Sequence, residues 1–175
     1  AGCGKSTLVD LLTGINDSEN LQVYLDEKRI TDKVFFQKKM FSYIPQKPSI
    51  FQNTIKENIT LFVDKIDEKR YYKALKLSKL GFINNLANGD NTLLSENGDN
   101  LSGGQLQRIF LARAIYSDKN ILIFDESTNE LDSNTEMEIV NDILNLPKTI
   151  FFITHKEILK EKFSKIFNIK NKEIN

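Results

Sequence analysis

From Lys5 onward the apolar residues Leu8, Leu11, Leu12 and Ile15 recur at helical spacing, and Gly14 suits the left-handed cap that ends such a helix. Gln22–Leu25 and Phe35–Ile44 are richer in β-branched and aromatic residues between polar turns, which predicts strands. Between 53 and 100 the character changes. Asp67 is placed to cap a helix that runs to Leu80 and stops at Gly81, and two turn-rich clusters follow, Asn88-Gly89-Asp90-Asn91 and Asn97-Gly98-Asp99-Asn100. This stretch reads as a helical insertion that returns to the main sheet. A helix from Ser102 to Tyr116 then leads into the apolar strand Ile121–Phe124, and a helix from Ser133 to Leu146 leads into the strand Thr149–Thr154. Strands alternating with helices predict an α/β fold whose parallel sheet is covered on both faces.

The 175 residues suffice for one domain, 1–175, that buries a core without disulfide or metal staples. The formal net charge is zero, so no overall field draws the chain to nucleic acid or acidic lipid, and no nucleic-acid partner is expected. The single cysteine excludes a disulfide within the chain and fits a reducing compartment. The longest apolar stretch, Thr149–Thr154, has the length of a strand and falls far short of the ~18 residues of a membrane span. The first residues do not resemble a signal peptide.

Three groups of residues carry chemistry. Gly2-Cys3-Gly4-Lys5-Ser6-Thr7 is either an ordinary turn or a loop whose backbone amides approach a polyphosphate at the start of a helix. In Leu101-Ser102-Gly103-Gly104-Gln105, Ser102 and Gln105 have the spacing of a capping box. Two glycines in a first turn each cost roughly 0.5–1 kcal/mol, however, and a plain cap has no use for them. Bare amides there suit an approaching anion. Lastly, three predicted strands end in polar tips: Gln46, Asp125-Glu126 and His155. In open α/β sheets ligands bind at such carboxyl ends, so the tips are expected to converge on one site.

In this order, the motifs resemble the nucleotide-binding domain of ATP-binding-cassette (ABC) proteins, and the resemblance runs over almost the whole chain. It implies a P-loop NTPase with a mostly parallel sheet, a partial antiparallel β subdomain and a helical signature subdomain at 53–100. It implies ATP and Mg²⁺. By resemblance, Gly2, Cys3, Gly4, Lys5, Ser6 and Thr7 cradle the phosphates. Ser6, Gln46 and Asp125 serve the metal, Glu126 polarises the attacking water, and His155 contacts the γ-phosphate. Ser102, Gly103, Gly104 and Gln105 act on ATP held by a second nucleotide-binding domain in a head-to-tail dimer, with Asp132 in the loop at that interface. Cys3 is explained by its small size, or equally as a reactive thiol covered by nucleotide.

The loop Ser127-Thr128-Asn129-Glu130-Leu131-Asp132 departs from the family's usual Ser-Ala-Leu-Asp at Asn129 and Glu130. Phe51-Gln52-Asn53-Thr54-Ile55-Lys56-Glu57-Asn58-Ile59 resembles exporter cassettes, and Thr92, Glu96 and Gly98 fall at the spacing of the exporter loop that touches the membrane domain. The implied function is ATP hydrolysis powering a bacterial exporter or flippase, at the cytoplasmic face of the inner membrane and beneath a transmembrane partner domain. An importer ATPase, a soluble cassette ATPase without transport and a non-hydrolysing regulatory domain are the alternatives. The first is told apart by what lies upstream. The second would carry coiled-coil insertions or a second cassette, and the third would lack Lys5, Gln46, Glu126 or His155. The chain begins inside the phosphate loop and stops short of the family's final helices. The expectation is that this polypeptide alone is poorly soluble and hydrolyses no ATP.

Overall fold

The structure, a computed structural model, describes residues 4–16, 21–25, 27–31, 39–170 and 173–174. Its contacts divide the chain into two compact units, Ala1–Phe41 with Lys156–Asn175, and Ser42–His155.

In the first unit, helix α1 (Lys5–Thr13) is entered through Gly4 at φ 101° and left through Gly14 at φ 76°. Both values are left-handed, where a Cβ is strained, so the two glycines set the helix ends. The buried residue of this helix is Val9. Leu8, Leu11 and Leu12 are half-buried, and Ile15 is exposed because it lies beyond the Gly14 cap, where helical spacing no longer sets its direction. Strands β1 (Tyr24–Leu25) and β2 (Lys28–Arg29) form a short antiparallel hairpin. Of the expected strand Phe35–Ile44, residues 35–38 lie outside the described residues.

The second unit holds a three-stranded sheet in the order β3 (Phe41–Ile44), β4 (Ile121–Asp125), β5 (Thr149–Ile153). Strands β4 and β5 run parallel, with Leu122 opposite Ile150 and Asp125 opposite Ile153. The central strand is a continuous apolar run because Leu122, Ile123 and Phe124 are all buried, as a strand covered on both faces must be.

Helix α2 (Ile55–Thr60) explains the Phe-x-x-Thr-Ile-x-Glu-Asn-Ile pattern physically. Thr54 and Glu57 close a reciprocal capping box, while Ile55, Asn58 and Ile59 are fully buried. Helix α3 (Glu68–Leu77) starts as expected, with the Asp67 carboxylate accepting from the Arg70 amide at 2.9 Å. It ends three residues before the expected Leu80. Lys79 turns into the left-handed region at φ 54°, its ammonium bound by Asp142 and Glu138 at 2.8 and 3.2 Å. Its carbonyl accepts from Arg108 at 3.0 Å. Gly81 therefore falls inside a 3-10 segment, Leu80–Asn85, and does not end the helix.

Helix α4 (Gly103–Tyr116) touches both α2 and α3, and α5 (Ser133–Leu144) touches α3. Ile109, Leu111 and Ile115 of α4 share one core with Leu122 and Phe124 of β4 and with Ile139 and Ile143 of α5. The first unit is completed by the short helix α6 (Glu157–Lys160) and the antiparallel pair β6 (Ile169–Lys170) and β7 (Glu173–Ile174). Among the described residues, no helix is long and apolar enough to cross a membrane.

Candidate active site

The three strand tips of the second unit meet. Glu126 follows directly on β4, and its amide donates to the carbonyl of Ile153 on β5 at 2.9 Å. Its backbone is left-handed, φ 50°, an unfavourable conformation for a residue with a side chain. From there its carboxylate is surrounded by donors. Gln46 Nε2, two residues past β3, lies 2.9 Å from Oε2. His155 Nε2, two residues past β5, lies 3.1 Å from Oε1. Asn129 Nδ2 donates to Oε2 at 3.2 Å. Glu126 is largely shielded while His155 is mostly exposed, with side-chain accessibilities of 16% and 73%. The imidazole is thus anchored to the carboxylate while most of its surface faces solvent.

Asp125, the last residue of β4, is buried to 8% exposure, and its Oδ2 accepts from the Tyr43 hydroxyl at 3.2 Å. Among the described residues no cluster of three or more His, Cys, Asp or Glu is suited to hold a metal.

The Leu101–Gln105 segment forms the amino end of α4. Both halves of its capping box are made: the Ser102 amide donates to Gln105 Oε1 at 2.9 Å, and the Gln105 amide to Ser102 Oγ at 3.3 Å. The two glycines face the Glu130 segment, and for Gly104 this gives a packing reason the sequence did not show. A Cβ on Gly104 would lie 2.9 Å from the Glu130 backbone carbonyl, and one on Gly103 would lie 3.1 Å from the Glu130 carboxylate. The loop 126–132 therefore leans on the start of α4, and the Glu130 amide is fixed there by a 2.8 Å bond to Gln107 Oε1. The same loop is held from below by Thr128, whose buried hydroxyl donates to the buried Glu136 carboxylate at 2.5 Å. Asp132 caps α5 through the Thr135 amide at 3.0 Å, and these amide bonds hold its carboxyl below the ordinary aspartate value.

Gln46, Glu126 and His155 are thus brought together, with Asp125 the neighbouring residue. Ser102, Gly103, Gly104 and Gln105 share a helix end that the 126–132 loop joins to Glu126. Gly4, Lys5 and Thr7 sit at the start of α1 in the other unit, with Gly4 as its left-handed entry. Gly2, Cys3 and the Ser6 side chain lie outside the described residues. Two contacts escaped the sequence reading. Tyr43 reaches Asp125 across 82 positions, which only the strand order reveals. Asn129 stands three residues after Glu126, a spacing that turns bring together, and that spacing was the available signal.

Comparison with known proteins gives this geometry its context. Residues 1–129 match the family model described as ABC transporter. The chain is 37% identical over 162 residues to the leptomycin B resistance protein pmd1 of Schizosaccharomyces pombe, a match covering 89% of this chain and 12% of that protein. It is 37% identical over 171 residues to the ATP-dependent lipid A-core flippase of Hahella chejuensis, covering 95% and 29%. Among solved structures, a bacterial Atm1-family ABC exporter with ATP bound superimposes with a TM-score of 0.91 at 27% identity, covering 100% of this chain and 32% of that one. The chain spans only 12% and 29% of the length of these two curated relatives. With its parallel sheet, its converging strand tips and a family match over most of its length, the chain belongs to the ABC transporter family, as a nucleotide-binding domain.

Proposed function

We propose that this chain is the ATP-hydrolysing module of an exporter or flippase. It works as one half of a head-to-tail pair of nucleotide-binding domains, on the cytoplasmic side of a transmembrane partner domain. The observation that carries the reading is the convergence of Gln46, Asn129 and His155 on the Glu126 carboxylate. Phosphoryl transfer to water relies on positioning and electrostatics more than on covalent chemistry, and a carboxylate held by three donors suits the orientation of a water molecule.

In this reading Gly2, Cys3, Gly4, Lys5, Ser6 and Thr7 hold the phosphates, and His155 contacts the γ-phosphate through its exposed edge. Mg²⁺ takes one or two carboxylates alongside substrate phosphates rather than an all-protein cage, and Asp125 at the strand end fits that demand. Asp125, Gln46 and Ser6 would hold the ion, which neutralises phosphate charge when bound. Ser102, Gly103, Gly104 and Gln105 present the α4 amides to ATP on the second domain, with Asp132 at the same interface. Residues 53–100 form the helical subdomain that faces the membrane partner. The exporter and flippase names of similar proteins favour export over import.

The test is Glu126→Gln in the full-length protein. ATP binding is retained, turnover falls by roughly 10²–10³-fold, and the nucleotide-binding domains stay closed around ATP. A variant with near-normal turnover would remove Glu126 from this role.

A further inference from the structure

We infer that Asn129 is a positioning residue for Glu126, and that it ties the direction of that carboxylate to the amino end of α4. The inference rests on the reading of Glu126 as the group that orients water. Among the described residues Gln46, His155 and Asn129 meet the carboxylate, and they differ in kind. Gln46 and His155 come from the ends of other strands and each has a second proposed task at the nucleotide. Asn129 comes from the loop that follows Glu126 itself. Its amide nitrogen donates to Glu126 Oε2 at 3.2 Å, and its backbone N–H donates to the Glu126 carbonyl at 3.3 Å. Asn129 thus grips both the side chain and the backbone of one residue, and that residue has a left-handed backbone.

The next residue is anchored elsewhere. The Glu130 amide donates to Gln107 Oε1 at 2.8 Å, and the Glu130 carbonyl seats against Gly104. A displacement at the start of α4 therefore moves Glu130 first and Asn129 with it, and the amide carries the displacement to Glu126. In this reading Gln46 and His155 each have a task at the nucleotide as well, whereas Asn129 acts on Glu126. An apolar side chain of the same size would fill the loop but leave the carboxylate with fewer constraints on its rotation. A carboxylate at 129 would repel it.

The experiment uses steady-state ATPase kinetics of the full-length protein in lipid. Asn129→Leu lowers kcat roughly tenfold and leaves KM for Mg-ATP within about twofold, the pattern of an interaction that acts on the chemical step. Asn129→Gln, which keeps the amide, recovers most of the loss, and Asn129→Asp falls below Asn129→Leu. In a Glu126→Gln background, Asn129→Leu changes single-turnover rates no further, because a residue that acts through Glu126 has nothing left to position. Unchanged binding of a fluorescent ATP analogue by Asn129→Leu shows that the domain is folded.

Wild-type kcat in both Asn129→Leu and Asn129→Asp would overturn the inference. Equal losses in Asn129→Leu and Asn129→Gln would do so too, as would additivity with Glu126→Gln. If Glu126→Gln abolishes turnover while Asn129→Leu is normal, the inference alone falls. If Glu126→Gln itself turns over normally, the catalytic reading falls and the inference with it.

Discussion

Arg113 of α4 holds Asn58 of α2 at two points. Its Nε donates to the Asn58 carbonyl at 2.7 Å and its Nη2 to the Asn58 side-chain oxygen at 3.1 Å, while Nη1 reaches the Ser49 carbonyl at 2.9 Å. Asn58 in turn donates to the carbonyls of Phe51, Asn53 and Thr54. One guanidinium thus binds the helix that carries the Ser102–Gln105 cap to the segment that follows Gln46. Burial pushes the Arg113 pKa down to about 10, so the group is charged at neutral pH and its bonds are charge-assisted.

Arg113→Met removes all three bonds and takes a donor from the buried Asn58 carbonyl, while the Asn58 side-chain oxygen keeps the Phe51 amide. The expected loss is about 2–4 kcal/mol, read as a lower thermal unfolding midpoint. Arg113→Lys recovers only part of it, because a single ammonium cannot reproduce the fork. Equal midpoints for Arg113→Met and the wild type would show that the contacts carry no stability.

The two glycines of α4 are expected to respond differently to alanine. At Gly104 the added Cβ meets the rigid Glu130 carbonyl at 2.9 Å, so Gly104→Ala must shift the 126–132 loop, at about 1–3 kcal/mol. At Gly103 the Cβ meets the flexible Glu130 side chain at 3.1 Å, which swings aside. Gly103→Ala is expected to be neutral or to gain up to roughly 1 kcal/mol of helix propensity. Paired thermal melts check the order, and a reversed order would refute it.

Within the loop, Ser127 and Thr128 are both buried but not equally satisfied. Among the described residues the Ser127 hydroxyl has no hydrogen-bond partner, whereas Thr128 binds Glu136. Ser127→Ala should leave stability unchanged or raise it, and Thr128→Val should lower it by about 1–3 kcal/mol. Chemical denaturation of the complete domain distinguishes the two.

If Ser102 serves the ATP of a second domain, Ser102→Arg and Lys5→Ala variants are each inactive alone. Mixed, they assemble one site that joins an intact phosphate loop to an intact α4 cap. Partial recovery of ATPase activity on mixing is the expected outcome, and wild-type activity of Ser102→Arg alone contradicts it.

Asp118 accepts from Lys148 at 2.8 Å, and this bond, more than its other contacts, holds its carboxyl below the ordinary aspartate range. A folded value below the unfolded one means that the pair stabilises at neutral pH. That stabilisation is lost as pH falls from the ordinary aspartate value of ~3.9 through the lower folded value. Lys148→Met should therefore flatten the acid side of the stability curve while raising the Asp118 pKa, as followed by carboxyl NMR shifts.

Much of the site was legible because its determinants are local. Ser102 with Gln105 and Asp67 with its following helix read directly as caps, since a cap is a matter of three-residue spacing. Asp125 and Glu126 were placed at a sheet edge because a continuous apolar run is a strand buried on both faces. Lys79 was not legible as a helix end. Its left-handed turn is sustained by Asp142, Glu138 and Arg108, all far along the chain. Nor was the packing reason for Gly104, which depends on a loop 26 positions away. Local chemistry announces itself in a sequence, whereas a contact between distant segments becomes visible only when the order of strands and helices is known.

The left-handed backbone of Glu126 has an evolutionary corollary. A non-glycine residue there costs on the order of 1–3 kcal/mol, and glycine would relieve much of it. Were the proposed role of Glu126 no longer needed, glycine at 126 would be among the replacements that stability alone favours, as it would at Leu61 or Asp118, which share the left-handed backbone.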